Sequence, residues 1–454
     1  MALLTGATSE VGRLIAAHLR SSGVELRLTS RDDCSLGHGA ETDELVAGVE
    51  TVVHVEPALV SNNEETDDWL DSCTRCTFNL LVAAEAAGVR HFVLLSRMEV
   101  LINLSPEIAI VSPSWRPRPS VSPGSLGPHL AEFTARQFAF STGQAGGAYE
   151  PTSPMVGPKM RVTIVRVGDL AQQVQGSRFW STHEAIAATV TKTVMDKSSS
   201  QYSVAHCGEL NLAWTHRGAT LKTNRTGVTA KTNSAAPKVV ILGANGMMGP
   251  PVAWAMAQAG SELLLTDLEP DSQKRDKAQL ARDKEFGAGT AHQREVFALP
   301  AHAVVKSMHV DVSNAREVDT AVAQADVVIM CAVVREHREL GFRVNTQGTF
   351  NAIRAAVANG HDRFINSGPV DAVVGRGMTQ GYFGAAAGMN EPSGSTPPWP
   401  GVGLYSITKG LGAEICRIFS ENYDIAHMMC ALCTPRLACT APVTSCMFHC
   451  WSAL

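Results

Sequence analysis

The chain repeats itself, and the repeat decides what it can fold into. Residues 3–28 (LLTGATSEVGRLIAAHLRSSGVELRL) match residues 240–265 (VILGANGMMGPPVAWAMAQAGSELLL). Each runs from an apolar strand through a Gly turn to an amphipathic helix that stops near Gly, then into another strand. A second match joins 78–96 (FNLLVAAEAAGVRHFVLLS) to 350–368 (FNAIRAAVANGHDRFINSG), and ETVVHVEPA (50–58) answers ADVVIMCAV (325–333). The offset is 237 residues from Gly6 to Gly243 and 272 from Phe78 to Phe350. The second copy therefore carries about 35 extra residues between its second and fourth strands, a charged stretch and a strand ending HVDV (309–312).

Strands alternating with helices over short turns predict a parallel sheet covered on both faces. The expected fold is α/β, two such doubly wound sheets in tandem, over residues 1–216 and 238–454. Between them, 217–237 (RGATLKTNRTGVTAKTNSAAP) has no apolar periodicity and reads as a linker. Loops rich in Pro, Ser and Gly recur at 112–128 and 391–403, just before the next helix of each copy. Long loops at equivalent places more often line a substrate site than fill space.

With 454 residues the chain is long enough for two or three domains with real cores. A net charge of −5 argues against nucleic acid or an anionic membrane surface as the main partner. No run of about 18 apolar residues offers a membrane span. The N-terminus MALLTGATSEVGR reads at once as strand and turn, with no room for a signal peptide, so a cytoplasmic location is expected. Most of the eleven cysteines are scattered, as reduced thiols are, and Cys73 and Cys76 fall on a predicted helix. Cys430, Cys433, Cys439, Cys446 and Cys450 crowd the tail beside His427 and His449. The CALC pair there invites a zinc reading, yet no second clean CxxC or HxxxH follows it, so no metal site is expected.

The Gly turns are built to hold a phosphate. In the second copy Gly243, Gly246 and Gly249 form GxxGxxG between strand and helix, with Asn245, Met247 and Met248 in the same turn. Glycines permit close backbone approach, and the helix start offers unpaired N–H groups to a pyrophosphate. Asp267 ends the next strand (LLLTD), where a carboxylate accepts from the adenosine ribose hydroxyls and repels a 2′-phosphate, favouring NAD over NADP. The first copy keeps Gly6 and Gly12 but has Ser9 in the middle place, and its second strand ends with Ser30 and Arg31. Arg31 suits a 2′-phosphate, which makes NADP conceivable there; an exposed loop arginine is an equal reading.

YSITK (405–409) places Tyr405 and Lys409 one helical turn apart on a shared face. An ammonium beside a phenol lowers the phenol's pKa, so such a tyrosine exchanges a proton with a substrate hydroxyl or carbonyl while hydride moves. Taken together, GANGMMG, Asp267, VNTQGT (344–349), RFINSG (363–368) and YSITK resemble the extended short-chain dehydrogenase/reductases, and more narrowly the NAD-dependent epimerase/dehydratase family. The likeness covers most of 238–438, and the first copy resembles the same family over 1–215.

The resemblance implies Rossmann-like domains, bound NAD, and a Ser/Thr–Tyr–Lys group. Tyr405 would be the acid/base, with Lys409 lowering its pKa and holding the nicotinamide ribose. Ser367 is the only hydroxyl in NSGPVDAVVG and would polarise the reacting oxygen, although Gly368 takes a slot where the family more often has a second small hydroxyl residue. Asp311 and Val312 in HVDV match the position near the adenine, and Cys331 and Ala332 match the turn backing the cofactor; an ordinary buried strand end is the rival reading for these.

The first copy has Ser96 at its fifth strand's end but GPHLAEFTARQF (127–138) in place of the Tyr/Lys helix, with His129 near the tyrosine's place. The first tyrosine of the chain is Tyr149 and the first lysine Lys159, so no shift of alignment supplies the pair. A packing or surface histidine is the reading favoured for His129 over a substitute acid. Beyond its sixth strand the first copy continues with a helix (STHEAIAATVTKTVM) and a strand (QYSVAHC), elements with which the family closes over substrate. The second has under 20 residues left after IAHMMCALCTP, so its substrate part is expected to be truncated. Either the first copy lends it surface, or a second chain in a homodimer does, or turnover is poor.

The expectation is an NAD-dependent oxidoreductase or epimerase acting on a small hydroxyl- or keto-bearing metabolite: a sugar, uronate or nucleotide sugar. The alternative is an NAD(P)-binding regulatory or scaffold protein without turnover.

Overall fold

The computed structural model describes residues 1–64, 67–104, 111–113, 115–140, 160–169, 179–198, 200–210, 236–246, 248–269, 297–335, 337–369 and 403–432. The charged stretch from 270, the centre of the linker, most of the 391–403 loop and the tail cysteines from Cys433 onward lie outside these residues.

Two six-stranded parallel sheets carry the molecule. The first comprises β1 (Ala2–Leu4), β2 (Leu26–Leu28), β3 (Thr51–His54), β4 (His91–Arg97), β5 (Arg161–Val167) and β6 (Tyr202–Cys207), in the order β2-β1-β3-β4-β5-β6. The second comprises β7 (Lys238–Leu242), β8 (Glu262–Asp267), β9 (Val305–His309), β10 (Val327–Met330), β11 (Arg363–Pro369) and β12 (Ala426–Leu432), in the order β9-β8-β7-β10-β11-β12. That is the doubly wound order of a dinucleotide-binding sheet, whose ligand crevice opens beyond the strand ends where the order reverses, between β7 and β10. The central strands are near-continuous Val, Ile and Leu, as strands buried on both faces must be.

The insertion read from the sequence is where the sheets differ. β9 extends the second sheet beyond β8 and has no counterpart in the first. The first sheet instead gains β6 at its other edge, preceded by α4 (His183–Met195), as the sequence expects.

The strand pairing corrects one match. β1 aligns Leu4 with Val53, and β7 aligns Ile241 with Ile329. Since Gly6 and Gly243 are equivalent, Val53 corresponds to Ile329, so the match of 50–58 to 325–333 is one residue out of step. A run of apolar residues buried on both faces lacks the period that would fix register by eye. With the shift, Val55 stands level with Cys331 and Glu56 with Ala332.

The helices that matter here are α1 (Glu10–Ser21), α2 (Thr77–Ala86), α3 (Pro123–Phe140), α5 (Gly249–Gln258), α6 (Gly348–Ala358) and α7 (Leu404–Asn422). One continuous apolar core runs from the first copy into the second through α2, α3, α6 and α7. Trp69 meets Phe350 edge-on at 5.6 Å, and Phe78 lies 5.4 Å from Phe342. Polar links cross as well: Arg354 donates to Asp67 at 2.9 Å, and His129 Nε2 lies 2.7 Å from Glu414 Oε1 on α7. Burial works to raise the Glu414 carboxyl, but Arg417 and His129 outweigh it and hold the group well below its usual range. His129 is therefore a buried packing residue tied to the partner copy's helix, in keeping with the favoured reading.

Candidate active site in the second copy

The cradle forms where β7 turns into α5. Gly243 has φ +79°, and a Cβ there would lie 2.5 Å from the Ala332 backbone. A Cβ on Gly249 would lie 1.8 Å from Ala244 O. The fold itself demands both glycines. Gly246 differs: its Cβ would come no nearer than 3.4 Å to Gly243 O, an ordinary contact. No other atom of the described residues comes within 4 Å of that position, which leaves space above Gly246.

Donors in the turn are few and mostly spent. Gly243 and Ala244 donate to Thr266 O, and Gly246 donates back to Gly243 O. Pro250 and Pro251 in the first turn of α5 supply no N–H, and no side chain caps this helix. The N–H of Met248 has no partner among the described residues, which leaves it for an anion. Met247 lies outside them.

Asp267 ends β8 beside this turn. Its Oδ2 accepts from Asn245 N at 2.8 Å and its Oδ1 from Leu268 N at 2.9 Å, while Asn245 Nδ2 donates to Glu269 O. The carboxylate thus braces the Gly turn as well as marking the strand end. Each oxygen keeps a second lone pair for a ribose hydroxyl. Asp267→Asn, which keeps an acceptor and removes the charge, is expected to weaken NADH binding about tenfold and NADPH binding less; an unchanged NADH-to-NADPH affinity ratio would exclude this role for Asp267. Asp311 Oδ1 accepts from Ser313 N and Oγ, both at 2.8 Å, and buried Val312 packs where a Cβ on Gly348 would be only 2.7 Å away. These two fix the loop after β9.

The Tyr/Lys pair sits at the start of α7. Lys409 is only 2% exposed, and its Nζ donates to Ala332 O at 3.2 Å. Burial lowers its pKa to about 8; the smaller influence of Cys331 works to raise it, and that of Arg335 to lower it further. Half-buried Tyr405 lies under the Arg335 guanidinium, 5.2 Å from its ring centre. Ala332 therefore joins the two halves of the site: its backbone lies against Gly243 on one side and accepts Lys409 on the other. Cys331 is buried beneath, its N–H on Leu242 O. Ser367 is buried near the end of β11, next to β10 in the sheet. Asn345, which the sequence offered only within VNTQGT and without a role, is fully buried: its Nδ2 donates to Val334 O at 2.6 Å and Thr408 Oγ1 at 2.9 Å, clamping the loop after β10 to α7.

The sequence model of the NAD dependent epimerase/dehydratase family matches residues 2–103 and 239–437, well over half of the chain. The chain belongs to this family. Its description is that of NAD-dependent epimerases and dehydratases, and both matched regions start at the first strand of a copy. Among solved structures, the chain is similar to WbmG of Bordetella bronchiseptica in complex with NAD and UDP: 20% identity over 45% of this chain and 56% of that one, TM-score 0.30. MoeE5 in complex with UDP-glucuronic acid and NAD is 17% identical over 46% of this chain and 76% of its own, TM-score 0.36. An N-terminal ketoreductase from a macrolactin assembly line is 13% identical and covers 93% of this chain and 76% of its own, TM-score 0.46. The chain spans just over half the length of WbmG. No curated protein sequence matches it.

The first copy differs from the second at the same turn. Ser9 stands in the middle glycine's place and caps α1: its Oγ accepts from Gly12 N at 3.0 Å and donates to Gly6 O at 2.7 Å. A side chain thus stands at the position equivalent to Gly246, and Glu10 follows it in the first helical turn. Gly6 keeps its left-handed backbone (φ +62°), and a Cβ on Gly12 would be 2.2 Å from Gly6 O. The turn survives; its openness does not. Glu56, level with Ala332, lines a cleft of about 250 Å³ with Gly6, Arg31, Glu64 and Asp68. Burial would raise the Glu56 carboxyl, yet hydrogen bonds from His54 and Thr5 hold it below its usual range. Arg31 reaches Asp68 O at 3.4 Å. A cleft with three carboxylates and one guanidinium is poorly matched to a dinucleotide's phosphates. No group of three or more metal-ligating side chains occurs among the described residues, and no helix there is long and apolar enough to cross a membrane.

Proposed function

We propose that the second copy, within a domain spanning 238–454, is the catalytic unit of an NAD-dependent oxidoreductase or epimerase acting on a sugar, uronate or nucleotide sugar. The domain over 1–216, joined by the linker 217–237, serves as a non-catalytic packing partner. The observation that carries this reading is the meeting of cradle and catalytic pair at Ala332, with a fully buried lysine one turn from Tyr405.

When bound, NAD supplies the hydride acceptor and donor. The chain's own residues do the rest. Tyr405 takes a proton from a substrate hydroxyl, or returns one to a carbonyl, through its phenol oxygen. The Lys409 ammonium favours the phenolate, and the low-dielectric surroundings of a buried charge strengthen that influence. Ser367 would donate to the reacting oxygen, Gly246 and Met248 would receive the pyrophosphate of a bound dinucleotide, and Asp267 would accept from its ribose.

The test is a nicotinamide fluorescence screen. Sugars, uronates and nucleotide sugars are supplied to the full chain and to Tyr405→Phe with NAD or NADH. Turnover by the wild type alone is expected. NADH binding without turnover of any substrate, equal in both proteins, would instead favour a regulatory NAD-binding role.

A further inference from the structure

Arg335 is a positive charge that the reaction as described leaves unused. Its guanidinium lies over the Tyr405 ring, and its charge bears on Lys409, one helical turn further along α7. It makes no ion pair or hydrogen bond with any described residue. The Glu339 carboxylate, four residues on, is engaged by Arg343 at 3.2 Å. The side chain is half-buried, and its backbone is held: the preceding residue, Val334, donates to Asn345 Oδ1 at 3.0 Å and accepts from Asn345 Nδ2. Through Thr408 the same amide fixes this loop to α7, the helix that carries Tyr405.

A contact with an aromatic face leaves all five guanidinium N–H donors available. Arg presents them in a planar fork that matches an oxyanion in a bidentate way, which a lysine at this place would not do. A second fixed cation is also unfavourable beside Lys409 unless an anion joins them.

We infer that Arg335 is a specificity-determining residue that binds an oxyanion of the substrate beside Tyr405. The substrate class is an acidic sugar. The oxyanion is supplied by a ring carboxylate or by the diphosphate of a sugar nucleotide. This rests on the assignment of the catalytic site to the second copy.

The experiment is calorimetric titration of glucuronate, glucose and UDP-glucose into the full chain, with and without NADH, for wild type, Arg335→Gln and Arg335→Lys. Tighter binding of glucuronate than glucose, by about tenfold or more, identifies a carboxylate; the same preference confined to UDP-glucose identifies a diphosphate. Either preference is expected to vanish in Arg335→Gln and to recover in part in Arg335→Lys, with NADH affinity and urea midpoint unchanged in both. A wild type that binds all three alike, or none, overturns the proposal, as does a preference that survives in Arg335→Gln. Failure of the wild type to bind NADH counts against the catalytic assignment instead, because the sugar contrast is also read without NADH.

Discussion

Tyr405→Phe and Lys409→Met should each lower kcat/KM by roughly 10²- to 10⁴-fold, the usual loss for a missing acid/base group, but only the lysine substitution should make the protein more stable. Burial lowers the Lys409 pKa from 10.5 to about 8. At pH 7 the lysine is protonated in both folded and unfolded states, and the folded state carries the full cost of the buried charge, on the order of 3 kcal/mol. Between pH 8 and 10.5 the folded state releases its proton first, so the cost fades as pH rises. Above 10.5 the lysine is neutral in both states and the cost is gone. Methionine fills similar volume without charge, at the expense of the bond to Ala332 O, worth about 1 kcal/mol. Lys409→Met should therefore gain about 1–2 kcal/mol at pH 7, an advantage that disappears by pH 10.5. Urea midpoints measured in a Tyr405→Phe background keep the phenol from titrating in the same window. A gap that stays constant from pH 7 to 10.5 would show that Lys409 is not held against its own charge. A residue that costs stability and is nonetheless buried beside Tyr405 is the pattern of a functional site.

The parts of this molecule that obey a local rule were legible in the sequence. Strand, Gly turn and helix recur with a period of their own, and Gly23, Gly88, Gly260 and Gly360 end their helices with left-handed backbones as the pattern requires. Tyr405 and Lys409 are one turn apart in any helix. What escaped depends on pairings that leave no local trace. The link from His129 to Glu414 spans 285 residues, and nothing around either residue announces it. The contact of Trp69 with Phe350 is equally silent, so one core shared by two copies was not foreseen. Arg335 is one arginine among many until Asn345 is seen holding its loop. The one-residue slip at β3 has the same origin, and it hid the fact that Glu56, an acid, occupies Ala332's place.

The glycines of the two cradles predict opposite outcomes for one kind of substitution. Gly249→Ala drives a methyl into the Ala244 carbonyl, 1.8 Å away, and backbone atoms cannot step aside as a flexible side chain would. A loss of at least about 1–3 kcal/mol is expected, as for other overpacked sites, seen as a lower urea midpoint with cofactor binding lost alongside. Among the described residues Gly246→Ala meets nothing nearer than 3.4 Å, and it has no left-handed backbone to defend. Its stability should stay within about 0.5 kcal/mol of wild type, while NADH affinity falls at least about tenfold because the methyl sits where the pyrophosphate must approach. The first copy has already made a related change. Ser9 occupies the equivalent place, and Gly6, Gly12 and α1 are intact around it, so a side chain there is compatible with the fold. If Gly246→Ala bound NADH as well as wild type, Ser9 would no longer explain a silent first cradle, and the burden would pass to Glu10, Glu56 and their neighbours. A folded variant that has lost NADH binding would tie the middle glycine to cofactor binding and the outer two to the turn.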